Sequence, residues 1–314
     1  RDSYWLANAG RSLEWLTSRF ELSRGGGAHN VRPMEGLRGF AVFLVFMVHY
    51  VALVKPWIAK DSAITAVAES LHTIGNTGVD LFFVLSGFLI YGSLIVRTQS
   101  FGKFMKRRVQ RIYPAFIAVF LLYVFISYLV PSQSKIPSQL QDAALYLAQN
   151  FLLLPGLLPI TPMITVAWSL SYEMFYYITI PLAIGLFRLR HRSSRWRIGF
   201  FSVAAIAIAV SCAVYGGPIR LVMFIAGILL YEIFTAGVSP RLGSGQALAA
   251  LVLGLFATLL PVGGAVGALF TNTCLFAGFF VLCLACFQHP VLKIGQVFSW
   301  MPLRRQWLPA EGAD

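Results

Sequence analysis

Charge is scarce in this sequence, and what there is leans one way. Only 12% of the 314 residues are charged, against 58% that are hydrophobic, and the mean hydropathy is +0.73. A soluble fold of this length needs a mixed charged surface, so this scarcity excludes an ordinary soluble protein. Acidic side chains are the rarer kind, 12 against 25 Lys and Arg, for a net charge of +13. In a soluble chain that excess would point to nucleic acid. Here the basic residues sit between long apolar runs, and no basic helix interleaved with aromatics stands apart from them, so nucleic acid is not an expected partner. Cysteine is also sparse. Cys212, Cys274, Cys283 and Cys286 all lie inside apolar runs and read as small hydrophobes. Cys283 and Cys286 have CxxC spacing but no two further ligands nearby, so no metal is expected.

What fills the sequence is hydrophobic runs of membrane-crossing length. Eight of them, near 36–54, 76–96, 112–130, 166–187, 199–215, 218–235, 246–261 and 265–287, are expected to cross the roughly 30 Å of hydrocarbon as helices. The expected fold is therefore all-α, a polytopic transmembrane helical bundle. The run from Leu145 to Pro159 is broken by Pro155 and Pro159 and reads as an outer loop or a re-entrant segment. All but four of the 25 basic residues fall on one set of alternate connections; the exceptions are Lys55, Lys60, Lys135 and Arg220. Positively charged loops stay on the cytoplasmic side, which puts both chain ends there and the loops 55–75 and 131–165 outside.

Three regions follow: a cytoplasmic lead at 1–32, a transmembrane domain at 33–290 and a cytoplasmic tail at 291–314. In the lead, Leu6, Ala9, Leu13, Leu16 and Phe20 recur at helical spacing, which suits a surface-lying amphipathic helix; a disordered lead ending at Gly25–Gly27 is the alternative. The lead has no continuous apolar core of the kind a signal peptide carries, and the first residue is Arg, so a fragment or processed chain is expected.

Ionisable side chains inside apolar spans are costly, and function is their default explanation. His49 in the first span, Asp80 in the second and Glu173 in the fourth stand out. Counted along each helix from its own end, His49 lies roughly 20 Å above Gly36 and Glu173 roughly 11 Å below Val166, nearly one height, with Asp80 about a turn shallower. An imidazole oriented by a carboxylate is the arrangement of a general base. The alternative is a hydrogen bond that joins helices. Arg38 precedes His49 by 11 positions, which returns to within about 20° of the same helix face while rising roughly 16 Å. Before the third span, Arg107, Arg108 and Arg111 form a cluster at helical neighbour spacing, suited to phosphate or to anchoring on anionic lipid heads.

These residues fall in recognisable strings. Arg38 and His49 lie in GLRGFAVFLVFMVHY as an Arg-x10-His pair, followed by GVDLFFVLSGFLI at 78–90, RRVQRIYP at 107–114 and AWSLSYEMFYY at 167–177. In this order they resemble the acyltransferase 3 family of integral-membrane acyltransferases, over about residues 32–290. The resemblance implies an enzyme of the bacterial inner membrane that moves an acyl group, acetyl foremost, from cytoplasmic acyl-CoA to a hydroxyl of an extracytoplasmic glycan or related acceptor, with no metal. It implies that His49 is the catalytic imidazole and that Arg38 handles the acyl donor. It also implies that Arg107, Arg108 and Arg111 contact the CoA phosphates, and it matches Glu173 to the family's fourth-span carboxylate. Glu173 or Asp80 would orient His49, with Ser86, Ser169, Ser171 and Tyr172 as candidate donors to a developing oxyanion. Direct transfer and a covalent acyl-histidine both remain open. Family members usually carry about ten spans and a late Ser/Tyr-rich helix with a His, whereas this chain passes from Phe287 into a tail with no further span, so a truncated or frame-shifted C-terminus is expected. The competing functions are a proton-coupled transporter or flippase, whose repeated halves are not seen here, and an inactive remnant of the enzyme.

Overall fold

The computed structural model describes residues 32–58, 63–237 and 242–288. The expected lead, apart from its last residue, and the expected tail lie outside these residues. Among the described residues the long elements are nine α-helices. In chain order they are α1 (Arg32–Val54), α2 (Ala63–Val96), α3 (Phe101–Leu129), α4 (Leu140–Phe151) and α5 (Trp168–Leu186). The remainder are α6 (Ser194–Tyr215), α7 (Val222–Thr235), α8 (Ser244–Ala257) and α9 (Gly264–Gln288). An α-helix satisfies every interior backbone group within itself, which is what hydrocarbon demands of a spanning segment.

Five helices, α1 (with the short turn after it), α2, α3, α6 and α9, are long and apolar enough to cross a membrane. The chain is thus a helical, multi-pass integral membrane protein. A helix lies under each of the eight expected runs, but α7 and α8, at 14 residues each, reach only about 21 Å. For α7 the reason is its position. Every residue from Val222 to Glu232 is buried, so it packs inside the protein and has no lipid-facing side to match to hydrocarbon thickness.

The long helix α2 is the central post, packed by α1 and α7 on either side and touched by α5 and α9. Glycines let the backbones close up where no interhelical hydrophobic drive exists in lipid. At Gly75 a side chain would meet the Leu44 carbonyl at 2.7 Å, and at Gly78 it would meet the Ala41 carbonyl at 2.6 Å. A Cβ on Gly87 would land on the Phe224 carbonyl, and one on Gly227 on the Val84 carbonyl, so α2 and α7 touch backbone to backbone. By contrast α3 and α6 are peripheral, with long apolar faces such as Leu121, Phe125, Val203 and Ile206 left exposed, as lipid-facing helices require.

The Leu145–Pro159 run is neither a plain loop nor a span. Its first part is α4, which ends at Phe151, short of Pro155. The Phe151 ring packs against Tyr113 and Phe120 of α3, far below the Leu129 end of that helix, so the segment folds back along α3 as a re-entrant arm. Asn150 fastens the return: its Oδ1 accepts from the Met163 amide at 2.7 Å while its Nδ2 donates to the Tyr146 carbonyl at 3.0 Å.

Candidate active site

Because α1 runs unbroken from Arg32 to Val54, Arg38 and His49 do share one stripe of one helix. His49 sits on the exposed flank of α1, with Nδ1 2.8 Å from the Val45 carbonyl. A carbonyl only accepts, so Nδ1 carries the proton and Nε2 keeps the lone pair of the neutral ring. The half-buried Arg38 lies nearly three turns below.

The carboxylates do not stand where sequence depth puts them. Ala41 and Leu44 pack on Gly78, and Leu44 and Val48 on Gly75, so the antiparallel register sets His49 level with His72 of α2. Asp80 is then about 12 Å lower along α2. Glu173 is lower still, because Trp168 and Tyr172 of α5 pack on Phe83. That contact places Glu173 about 20 Å below the imidazole. Depths counted from each helix's own end miss this offset, since neighbouring helices start at different levels.

Asp80 has a different partner. Fully buried, it accepts from the Arg220 guanidinium through Oδ2 at 2.9 Å, while the same Arg220 nitrogen donates to the Asn76 carbonyl at 3.0 Å. The guanidinium also lies over the Trp168 ring, 5.1 Å from its centre. The second oxygen of Asp80 has no hydrogen-bond donor.

Glu173 belongs to the opposite end of the bundle. Tyr177, one turn further along α5, donates to its Oε1, and Arg108 of α3 lies over the Tyr177 ring at 5.0 Å. Arg108 and Arg111 are both close enough to act electrostatically on Tyr177. The basic stretch forms the first turns of α3 itself, with Arg107 held by Gln99. Together with Arg97, Lys103 and Lys106, the three predicted arginines line a cavity of about 920 Å³ in which no carboxylate takes part. Of the candidate oxyanion donors, Ser169 and Ser171 already donate to the carbonyls of Val166 and Ala167; Ser86 is half-buried and Tyr172 buried.

One buried cluster escaped the sequence reading. Glu232 on α7, fully buried, holds Arg197 of α6 through both oxygens, at 2.7 and 2.9 Å, and accepts from the Tyr91 hydroxyl at 2.5 Å. Arg197 also donates to the carbonyls of Leu189 and Arg192. Glu232 lies near the end of an apolar run and Arg197 in a basic connection, so each looks like an ordinary interfacial charge until the fold brings them together. The four cysteines are free, with Cys283 and Cys286 buried in α9.

The described residues thus form a bundle of apolar helices with an imidazole on the first helix and a cluster of arginines at the start of the third. The acyltransferase domain of the acyltransferase 3 family matches residues 33–301, and the chain belongs to that family. Acyltransferase MdmB of Streptomyces mycarofaciens is 27% identical over 260 residues, covering 73% of this chain and 64% of that protein. Exopolysaccharide production protein ExoZ of Rhizobium meliloti is 32% identical over 205 residues, 61% of each chain. O-acetyltransferase OatA of Staphylococcus aureus is 27% identical over 197 residues, 58% of this chain and 29% of that protein. The chain spans less than two thirds of the length of these relatives. No solved structure matches it.

Proposed function

We propose that the protein takes an acyl group from cytoplasmic acyl-CoA and transfers it to a hydroxyl of an extracytoplasmic glycan in the bacterial inner membrane. The observation that carries this is the basic cavity. Six cations face it with no carboxylate to neutralise them, and arginine forks suit the phosphates that make CoA an anion. With the phosphates there, the thin pantetheine arm points its thioester into the bundle. Arg38, on the same helix stripe as His49, supports the donor on the way.

In the transfer step His49 Nε2 accepts the proton of the acceptor hydroxyl as its oxygen attacks the thioester carbonyl. The carbon–sulfur bond then breaks, the acyl oxygen ester forms, and the CoA sulfur leaves as the thiol with the proton that the imidazolium returns. The Val45 carbonyl keeps the ring in the tautomer this needs, a task often given to a carboxylate. Glu173, tied through Tyr177 to Arg108, acts at the donor end, where it orients the guanidinium against the phosphates.

The test uses the purified protein in lipid nanodiscs with radiolabelled acetyl-CoA. Saturable binding that inorganic diphosphate competes away is the expected result. Absence of saturable binding, or binding indifferent to diphosphate, would remove the donor assignment.

A further inference from the structure

A second polar cavity, about 450 Å³, opens at the end of the bundle remote from the arginines. It joins α2 (Thr73, Asn76, Thr77), Trp168 of α5, Arg220 before α7, Thr258 after α8, and Thr271, Asn272 and Leu275 of α9. In a chain this apolar, such a gathering of hydroxyls and amides from five parts of the fold has no packing explanation. Arg220 and Thr271 do join elements, through Asp80, Asn76 and Ala257, whereas Thr77, Thr258 and Asn272 bond back to their own helices.

Where their protons go tells what the cavity offers. Thr77 donates to the Ile74 carbonyl at 2.7 Å, Thr258 to Leu255 at 2.6 Å, and Thr271 to Ala257 at 3.4 Å. Asn272 spends an amide hydrogen on the Ala268 carbonyl at 2.9 Å. With these protons committed to backbone, their oxygens keep lone pairs to accept, while the Trp168 indole N–H, the Asn76 amide and the second amide hydrogen of Asn272 can donate, so the wall offers both acceptors and donors. A wall of both kinds suits a ligand whose groups both donate and accept, as hydroxyls do. Arg220 in the same lining is already paired with Asp80 and adds no uncompensated charge, which suits an uncharged ligand.

The geometry points to this cavity as the subsite that anchors the carbohydrate acceptor, holding one uncharged sugar ring. Its volume, at the small end of the ~300–1,000 Å³ typical of ligand pockets, suits a ring and not a chain. The assignment rests on the acyltransferase reading and adds the place where the acceptor is held. Along α2 the cavity at Thr77 and the basic cavity at Ser93 lie about 24 Å apart, so the two ligands approach from opposite ends of one helix. On the helical wheel Thr73 and Thr77 are turned away from Gly75 and Gly78, which face α1. The ring held here is therefore an anchor, while another part of the same acceptor reaches His49.

The test replaces the chromosomal gene, in the organism that carries it, by variants of the full chain. Ester-linked acyl groups on envelope glycans are measured by mass spectrometry, and acetyl-CoA binding is measured on each purified protein. The near-isosteric pair Thr258→Val with Thr271→Val, and separately Asn272→Leu, are expected to lower ester content about tenfold, the loss of one or two hydrogen bonds, with acetyl-CoA affinity within about twofold of the parent. Thr271→Ser, which keeps the oxygen, is expected to retain the ester. Unchanged ester content in the double Val variant overturns the subsite, and so does loss in the Thr271→Ser protein equal to that in the double variant. If deleting the gene removes no ester mass, or the parent binds no acetyl-CoA, the acyltransferase reading itself fails, a result distinct from failure of the subsite alone.

Discussion

At the residue scale the informative feature of His49 is what its second nitrogen does. Bonding Nδ1 to Val45 leaves Nε2 as the basic site, so replacing the ring removes a proton acceptor and little packing, since the side chain is exposed. His49→Ala is expected to slow transfer by about 10²–10⁴-fold while membrane insertion and acetyl-CoA affinity stay as they were; a turnover assay alongside binding separates the two. Arg107→Ala should act on affinity instead, raising the acetyl-CoA Kd about 10- to 150-fold, the effect of one charge-assisted hydrogen bond of ~1.5–3 kcal/mol. Glu232 makes a different kind of prediction. Removing one partner of a buried ion pair strands the other, so Glu232→Ala should cost about 3–5 kcal/mol and lower the unfolding midpoint in detergent, with the Arg197 partner left uncompensated. The sequence reading found Asp80, Glu173 and His49 because each interrupts an apolar run. The long-range pairs are not visible there: Arg220 is 140 positions from Asp80, and in the separate buried pair Glu232 is 35 from Arg197. Those pairings are products of helix packing, and no local pattern encodes them.

At the scale of elements, the helices under the eight long runs were legible, because a long apolar run has few other ways to satisfy its backbone in lipid, whereas α4, beside Pro155 and Pro159, was not. Relative height was not legible, and that is why His49 and Glu173 read as neighbours although the α1–α2 register separates them. The glycines that set such registers make opposite predictions from one substitution type. Gly227→Ala gains about 1 kcal/mol of intrinsic helix preference, yet its Cβ would land on backbone atoms of Val84 and Phe88, which cannot rotate aside. Overpacking of ~1–3 kcal/mol wins, so loss of stability is expected. Gly199→Ala in α6 meets nothing within 4 Å and should be neutral or stabilising, by up to ~1 kcal/mol. Unfolding of both variants in the same detergent decides the sign of each.

At the scale of the whole molecule the two cavities imply sidedness. With the basic cavity cytoplasmic, a cysteine placed at Lys106 should react with a membrane-impermeant maleimide only after the cells are opened, whereas one placed at Lys135 should react in intact cells. The reverse pattern would invert the molecule. Both cavities draw on α2, whose 34 residues make a rod of about 51 Å against roughly 30 Å of hydrocarbon. Lipids with longer or shorter tails lean this rod without stretching it. Tail length therefore sets how deeply the Thr73 end of the rod is immersed, together with the polar cavity around it.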